Sequence, residues 1–136
     1  VPDEYIISLE AVDFSLSSIQ ARKSVGPDEI PNWSLKNFAP RISHPVSSTF
    51  NSSINERCVP SLWKYEDVLN LGKVPRPQSM DSDLRPISLT AVLSKVLAGF
   101  LFSWLAPILM PHIDHFQFGG VKKSSTRHTL VYLIHQ

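Results

Sequence analysis

The sequence predicts an α+β fold that is mostly helical with one β-hairpin. Three observations support this prediction. Apolar residues recur at helical spacing in several segments, two short runs at 65–74 and 85–89 have strand character, and a polar loop separates these runs. At 136 residues the chain is long enough to bury a core, and we expect one domain over residues 1–136.

The N-terminal segment is predicted to form an amphipathic helix that ends near Lys23 and is followed by a turn at 24–28. Gly26 in this turn permits unusual backbone dihedral angles, and Pro27 fixes its own φ. The apolar residues of the helix recur at steps of three and four: Tyr5, Leu9, Val12, Leu16 and Ile19.

Two further helices are predicted before residue 60. Pro31 opens a short helix through Phe38, because its missing N–H is not needed in a first turn, and Pro40 closes that helix. In the next helix, Pro45 must lie in the first turn or kink it. One face of this second helix carries Ile42, Val46, Phe50 and Ile54.

The hairpin is predicted from a strand at 65–74, with Val68 and Leu69 buried, and a second strand at 85–89. The connecting residues 75–84 are polar and contain two prolines, which indicates a loop. A loop of this length is uncommon in a compact domain unless it is functional.

After the hairpin, Thr90 is a suitable N-cap for a long apolar helix from Ala91 to about Leu109, which Pro111 ends. Residues 116–123 then form a glycine-containing loop. Ser124 or Ser125 is expected to cap a last helix that runs to the C-terminus.

Composition indicates a surface with little charge and a basic C-terminal part. Hydrophobic residues make up 43% and charged residues 18%, below the roughly 25% that is typical, as expected of a piece that packs against a missing neighbour. From His115 onward the chain has no acid but keeps Lys122, Lys123 and Arg127. Such a tract suits a phosphate backbone, and the alternative is an ordinary solvated face.

Several classes of site and location are disfavoured. The single Cys58 excludes an internal disulfide and a cysteine zinc site, and it fits a reducing intracellular compartment, cytoplasm or nucleus. The five histidines are scattered, so no metal site is predicted. No membrane span is expected either, since Ser103, Trp104 and Pro107 interrupt the best apolar stretch. No signal peptide is seen, and we expect residues 1 and 136 to be cut edges.

Four short motifs occur in a fixed order along nearly the whole chain. They read Ser-Val-Gly-Pro-Asp-Glu-Ile-Pro at 24–31, Pro-Ser-Leu-Trp-Lys at 60–64, Arg-Pro-Ile-Ser-Leu-Thr at 85–90, and Gln-Phe-Gly at 117–119 with Ser-Ser-Thr at 124–126. In order and spacing they resemble the N-terminal half of reverse transcriptases from non-LTR retrotransposons. The resemblance implies the fingers subdomain of a right-hand polymerase. Its partners would be an RNA template, a DNA primer, an incoming dNTP and a palm domain.

The resemblance also implies two nucleotide-binding residues. Lys73 stands where the family carries the lysine of its first fingers motif, and Arg85 stands at the triphosphate-binding arginine of the family's Arg-Pro-Ile-Ser motif. A guanidinium offers paired donors for phosphate oxygens, and an ammonium offers a compact charge. Alternatively, Arg85 pairs with Asp81 or Asp83, and Lys73 is a solvated strand end.

A second group is implied around the last motif, where the family places a loop and a helix against the template or the nucleotide pocket. Side chains and the first N–H groups of the helix would donate to phosphates. The alternative is a helix cap beside a solvated basic turn. Lys95, near the start of the long helix, either contacts a strand or covers apolar surface with its stem. The second group comprises Gln117, Gly119, Lys122, Lys123, Ser124, Ser125, Thr126 and Arg127.

Catalysis in the family resembles two-metal phosphoryl transfer, with clustered carboxylates that hold Mg²⁺. This chain has no Tyr-x-Asp-Asp sequence, and Asp81, Asp83 and Asp114 are isolated. The resemblance places the palm aspartates beyond residue 136, so we expect no catalytic residue, no cofactor in this chain and no polymerisation by it alone.

Two other interpretations stay open. Departures from the family pattern at Val74 and Lys123 fit a degenerate or co-opted relic that acts only as a non-catalytic interaction module. An unrelated helical adaptor would require all four motifs to be coincidental.

Overall fold

The computed structural model of the chain describes residues 5–76, 78–121 and 124–135. The chain divides into two compact units, Val1–Leu101 and Phe102–Gln136. Helices accompany a two-stranded antiparallel sheet, which confirms the α+β prediction. The elements are α1 Leu9–Ser17, α2 Asn32–Asn37, α3 Ala39–Asn55, β1 Glu66–Gly72, α4 Met80–Asp83, β2 Leu84–Thr90, α5 Val92–Leu109 and α6 Thr126–Ile134, with short 3-10 turns at Ser61–Lys64 and Met110–His112.

Helix α1 is shorter than predicted at both ends. Ser8 caps its start, since the Ser8 hydroxyl oxygen accepts the Ala11 N–H at 3.2 Å. At the other end the Ser18 hydroxyl donates to the Phe14 carbonyl at 2.7 Å. Val12 and Leu16 are fully buried, as the helical spacing indicated.

The segment before α1 is held by α3 instead of continuing the helix. The Ile7 N–H donates to Asn51 Oδ1 at 2.9 Å. The Ile7 carbonyl accepts the Ser47 hydroxyl at 2.8 Å and Asn51 Nδ2 at 3.0 Å. These bonds satisfy a backbone that lies outside any regular element, and Ile7 itself is buried.

Helix α3 buries the predicted face, but mainly through small residues. Phe50 is fully buried, and Ile42, Val46 and Ile54 are half-buried. The remaining buried positions are Ala39, Ser43, Ser47 and Ser53. These small residues allow close approach of the neighbouring backbone, and Ser47 hydrogen-bonds to it. Phe50 packs edge-on against two rings, with its centroid 5.6 Å from that of Trp63 and 6.3 Å from that of Phe100.

Two prolines have other roles than those predicted. Pro40 lies in the first turn of α3, where its missing N–H is tolerated, so it opens a helix instead of closing one. Pro45 consequently lies inside α3 and not in its first turn. The helix accommodates it, and the Pro45 carbonyl accepts the Thr49 hydroxyl at 2.8 Å.

The predicted hairpin is confirmed, and its predicted burial is wrong. β1 and β2 pair antiparallel from Glu66 opposite Thr90 to Gly72 opposite Leu84. Val68 and Leu69 are 54% and 47% exposed, because all of β1 is exposed to solvent. The connecting loop also contains a short helix, α4, that the sequence pattern did not predict.

Helix α5 has nearly the predicted length, but its predicted N-cap is wrong. It begins at Val92, while Thr90, the predicted N-cap, is the last residue of β2. Ser103, Trp104 and Pro107 do not interrupt it. Together with the following 3-10 turn it forms a 21-residue stretch, Val92–His112, in which an 18-residue window has a mean hydropathy of 1.8. By length and composition alone this stretch is sufficient to cross a membrane, which corrects the prediction that no such stretch exists.

Candidate functional site

Lys73 and Arg85 both lie at the loop end of the hairpin. Arg85 is in β2, opposite Leu71 in the antiparallel register. Lys73 is the first residue after β1 and lies in the bend that begins the loop. Its N–H donates to the Asp83 carbonyl at 2.6 Å, which holds it at this end of the hairpin.

The Lys73 ammonium is engaged with the loop. Its Nζ donates to the Ser82 carbonyl at 2.8 Å. An ammonium has three donor hydrogens, so this bond leaves donors for an anion. The contact also fixes the direction of a long side chain that would otherwise be freely mobile.

The Asp83 carboxylate organises the hairpin loop. Its Oδ2 accepts the N–H groups of Gln78 and Ser79 at 2.9 and 3.2 Å, and its Oδ1 accepts the Ser82 hydroxyl at 2.7 Å. The Gln78 N–H, then the Ser82 hydroxyl and the Ser79 N–H, lower the pKa of Asp83. The carboxylate is thus occupied by loop donors, whereas the alternative interpretation paired it with Arg85.

Arg76 is a further cation at this end of the hairpin, and the sequence analysis did not predict it as a site residue. It is exposed and lies in the loop three residues after Lys73. The signal available in the sequence was a basic residue between two prolines of a long loop. The hairpin end therefore carries three cations, Lys73, Arg76 and Arg85.

The second group of predicted residues belongs to the unit Phe102–Gln136. Gln117 Nε2 donates to the Gly119 carbonyl at 2.8 Å, so this amide supports its own loop. The next residue, Gly120, has a φ of 75°, a conformation that favours glycine. Phe116 lies against Tyr132 of α6, with ring centroids 4.7 Å apart, which fixes the loop beside the helix.

Ser125 caps α6, which confirms one of the two predicted caps. The Ser125 N–H donates to His128 Nδ1 at 3.1 Å, and the Ser125 hydroxyl lies 3.2 Å from the same nitrogen. The Ser125 side chain in turn accepts the backbone N–H of His128, which completes a capping box in which histidine takes the position usual for glutamate or glutamine. Thr126 and Arg127 follow in the first turn and are exposed. Lys122 and Lys123 lie outside the described residues.

A cleft of about 350 Å³ in this unit is lined by five polar residues, Asp114, His115, Gln117, Ser124 and His128. The Asp114 carboxylate accepts the Phe116 N–H at 2.9 Å. The sequence comparison did not single out His128. An acid at the cleft wall makes this cavity less suitable for a phosphate than the exposed first turn of α6.

Within 5–76, 78–121 and 124–135, no group of three or more histidine, cysteine, aspartate or glutamate side chains is arranged to hold a metal ion. Asp83 and Asp114 are each engaged in loop hydrogen bonds.

In sequence the chain is similar to a transposon RNA-directed DNA polymerase. It is 28% identical over 123 residues to a Drosophila melanogaster protein described as "Probable RNA-directed DNA polymerase from transposon BS". The similarity covers 88% of this chain and 14% of that protein, so the chain spans a small part of its relative's length. No protein-family model matches the chain.

Proposed function

We propose that the chain belongs to the fingers subdomain of a non-LTR retroelement reverse transcriptase, where it contacts the phosphates of an incoming deoxynucleotide and of the template. The observation that carries this proposal is that Lys73 and Arg85 are both exposed at the loop end of the hairpin. The sequence relationship to an RNA-directed DNA polymerase supports it independently of that geometry.

The chemistry of the hairpin end suits a polyphosphate. The Arg85 guanidinium is exposed and can donate two parallel hydrogen bonds to one phosphate group, while the Lys73 ammonium supplies a second charge nearby. The Asp83 contacts hold the loop in one conformation, so less conformational freedom is lost when a ligand binds. Arg76 adds a third cation for a neighbouring phosphate.

The start of α6 provides a second set of phosphate contacts in this proposal. Thr126 and Arg127 are exposed beside the first N–H groups of the helix, which favour anions. Template RNA and primer DNA would be bound mainly through their backbones, so affinity should fall as salt rises. Mg²⁺ would be held elsewhere in the whole enzyme, by carboxylates of the palm.

The apolar surface of the chain fits a piece of a larger polymerase. On α6, Leu130, Val131, Leu133 and Ile134 are all more than half exposed. On α5 only Val92 and Leu97 are buried, although the helix is strongly apolar. We propose that the palm domain, and not a membrane, covers these faces. Added vesicles should therefore leave the chain in solution in a flotation assay, and co-flotation would contradict this part of the proposal.

The test is fluorescence anisotropy with a labelled RNA–DNA primer–template over a salt series. Arg85→Ala should weaken binding by roughly tenfold and lower the salt slope by about one. Arg85→Lys should recover part of the loss, because it restores charge without the paired donors. Arg41→Ala is the matched control, since Arg41 is an exposed arginine on α3 and not part of the hairpin.

The outcome decides between this proposal and the interaction-module alternative, which the exposed apolar face of α6 favours. If the folded chain does not bind the primer–template, or if Arg41→Ala weakens binding as much as Arg85→Ala, the hairpin is not a phosphate site. The relationship to reverse transcriptases would then describe ancestry only, and the chain would be a non-catalytic relic.

A further inference from the structure

The outer edge of β1 is an unpaired strand edge. The Lys73 N–H donates to the Asp83 carbonyl, one step beyond the last pair of the register, so the odd-numbered residues of β1 form the hydrogen-bonded pairs with β2. The backbone N–H and C=O groups of the even-numbered residues therefore point away from β2. Within 5–76, 78–121 and 124–135, no other backbone group pairs with them. The outward-pointing residues are Glu66, Val68, Asn70 and Gly72.

The outer edge of β2 is blocked. Pro86 lies opposite Asn70, at a position whose N–H would point outward, and proline has no N–H to offer. At the end of β2, the turn at Gly26 lies against the backbone of Thr90. Prolines and lysines are devices that prevent pairing at a strand edge, and β1 contains neither. One edge of the hairpin is therefore open, and the other is closed.

The hairpin also lacks cover on its faces. Its apolar side chains are about half exposed, and a two-stranded hairpin is only marginally stable in water. Three or more strands with an apolar face are normally needed for stability. Additional strands at the open edge of β1 would therefore stabilise the hairpin. The exposed apolar residues are Val68, Leu69, Leu71 and Ile87.

A second copy of β1 matches the backbone of this edge. Two β1 strands related by a two-fold axis perpendicular to the sheet run antiparallel. One register brings all the outward-pointing residues into hydrogen-bonded pairs, and it places Leu69 opposite Leu69 of the second copy. In this register Glu66 pairs with Gly72, and Val68 pairs with Asn70. The edge is thus self-complementary in its hydrogen-bonding groups.

The side chains are complementary in the same register. Ile87 is opposite Leu69 within each hairpin, so the pairing forms one row of apolar side chains across the combined sheet. Charges match as well. β1 begins with Glu66 and Asp67, and Lys73 follows its last residue, so the acidic end of each strand lies beside the lysine of the other copy.

We propose that the chain forms a two-fold symmetric dimer in which β1 of one copy pairs antiparallel with β1 of the other. The blocked edges of β2 bound the combined sheet on both sides, so pairing stops at the dimer. A contact between two strands is small, and we expect a dissociation constant in the micromolar range. The proposal does not rest on phosphate binding at the hairpin, because the backbone of β1 carries it.

The test is sedimentation velocity of the whole chain over a concentration series. The natural chain should pass from monomer to dimer. Asn70→Pro should raise the dissociation constant at least about tenfold, because it removes an outward N–H without removing a bond to β2. Ser88→Pro is the matched control, since Ser88 lies opposite Val68 and its N–H points outward at the closed edge. Arg85→Ala should leave dimerisation unchanged, which separates this interface from the phosphate contacts.

Substitutions of Leu69 test the register, and they also serve if Asn70→Pro does not fold. Leu69→Lys and Leu69→Asp should each be monomeric, because like charges then face each other across the two-fold axis. An equimolar mixture of the two variants should form a heterodimer, since opposite charges then meet. Circular dichroism shows whether each variant is folded.

The proposal is overturned if the natural chain stays monomeric throughout the series, or if the two folded Leu69 variants do not associate when mixed. Equal weakening by Ser88→Pro and Asn70→Pro would overturn it as well. A dimer that persists in Asn70→Pro and is lost in Leu133→Ser would place the interface on the exposed apolar face of α6 instead, which also overturns the proposal.

Discussion

A β-carbon placed on Gly26 would lie 2.7 Å from the carbonyl oxygen of Thr90, and as close to the carbonyl carbon of Thr90 and the backbone nitrogen of Ala91. The turn after α1 therefore lies against the junction of β2 and α5 with no room for a side chain. The φ of Gly26 is not in the left-handed range. Glycine is required here for close approach, whereas the sequence prediction attributed it to unusual dihedral angles.

Gly26→Ala should destabilise the chain by about 1 to 3 kcal/mol, because the obstructing atoms are backbone and cannot turn aside. The measurement is urea unfolding followed by circular dichroism. Gly99→Ala is the control, since Gly99 lies in α5 and a β-carbon placed on it would have nothing within 4 Å. That change should stabilise the helix by roughly 0.5 to 1 kcal/mol. Equal unfolding midpoints for the two variants would contradict the packing argument.

Glu29 adopts a φ of 53°, which is costly for a residue with a β-carbon. Glu29→Gly should raise the free energy of unfolding by roughly 0.5 to 1 kcal/mol, the relief of strain less the extra freedom of glycine in the unfolded chain. Glu29→Val should lower it, because a β-branched side chain tolerates this conformation poorly. A destabilising Glu29→Gly change would show that the glutamate side chain compensates for the strain.

Protonation of Asp83 should loosen the hairpin loop at acid pH. Its pKa is lower in the folded chain, so the stabilisation is fully present above the ordinary aspartate pKa and is lost as pH falls through the folded value. The amide signals of Gln78 and Ser79 should titrate together with a midpoint below the ordinary aspartate range. Asp83→Asn should abolish this titration, and Asp81→Asn should leave it in place. A midpoint at or above the ordinary value would contradict the hydrogen bonds to the Asp83 carboxylate.

The hydrogen bonds between α3 and Ile7 should contribute measurably to stability. Ser47→Ala removes one buried bond and should cost about 1 kcal/mol. Asn51→Ala removes partners of both the N–H and the carbonyl of Ile7, and should cost about 1 to 3 kcal/mol. Ser48→Ala, at an exposed position of α3, should change stability by less than about 0.5 kcal/mol. Similar costs at Ser47 and Ser48 would show that the contact to Ile7 is energetically unimportant.

The sequence predicted the hairpin and its position because local strand and turn chemistry decides both. It did not predict the exposure of Val68 and Leu69, since burial of a strand depends on whether another layer packs on it. Apolar spacing indicated the buried face of α3, but not that serines would be among its most buried residues. Ser47 is buried because it bonds to a carbonyl 40 residues earlier, and such a non-local partner leaves no signal in a local pattern.

In the candidate sites, too, features set by local sequence were predicted and features set by non-local contacts were not. The Ser125 cap follows from local chemistry and was predicted, whereas His128 was not, because histidine is an unusual partner in a capping box. The motif resemblance to reverse transcriptases singled out Lys73 and Arg85, and their roles stay predictions.

The attachment of Ile7 to α3 also has a consequence for the order of folding. The hydrogen bonds involved close loops of 40 and 44 residues, whereas the innermost pair of the hairpin, Gly72 and Leu84, is much nearer in sequence. Closing a longer loop costs more entropy and delays the contacts that depend on it. We therefore expect α1 to pack against α3 late in folding. This packing step, and not the formation of any single helix, should set the folding rate of the unit Val1–Leu101.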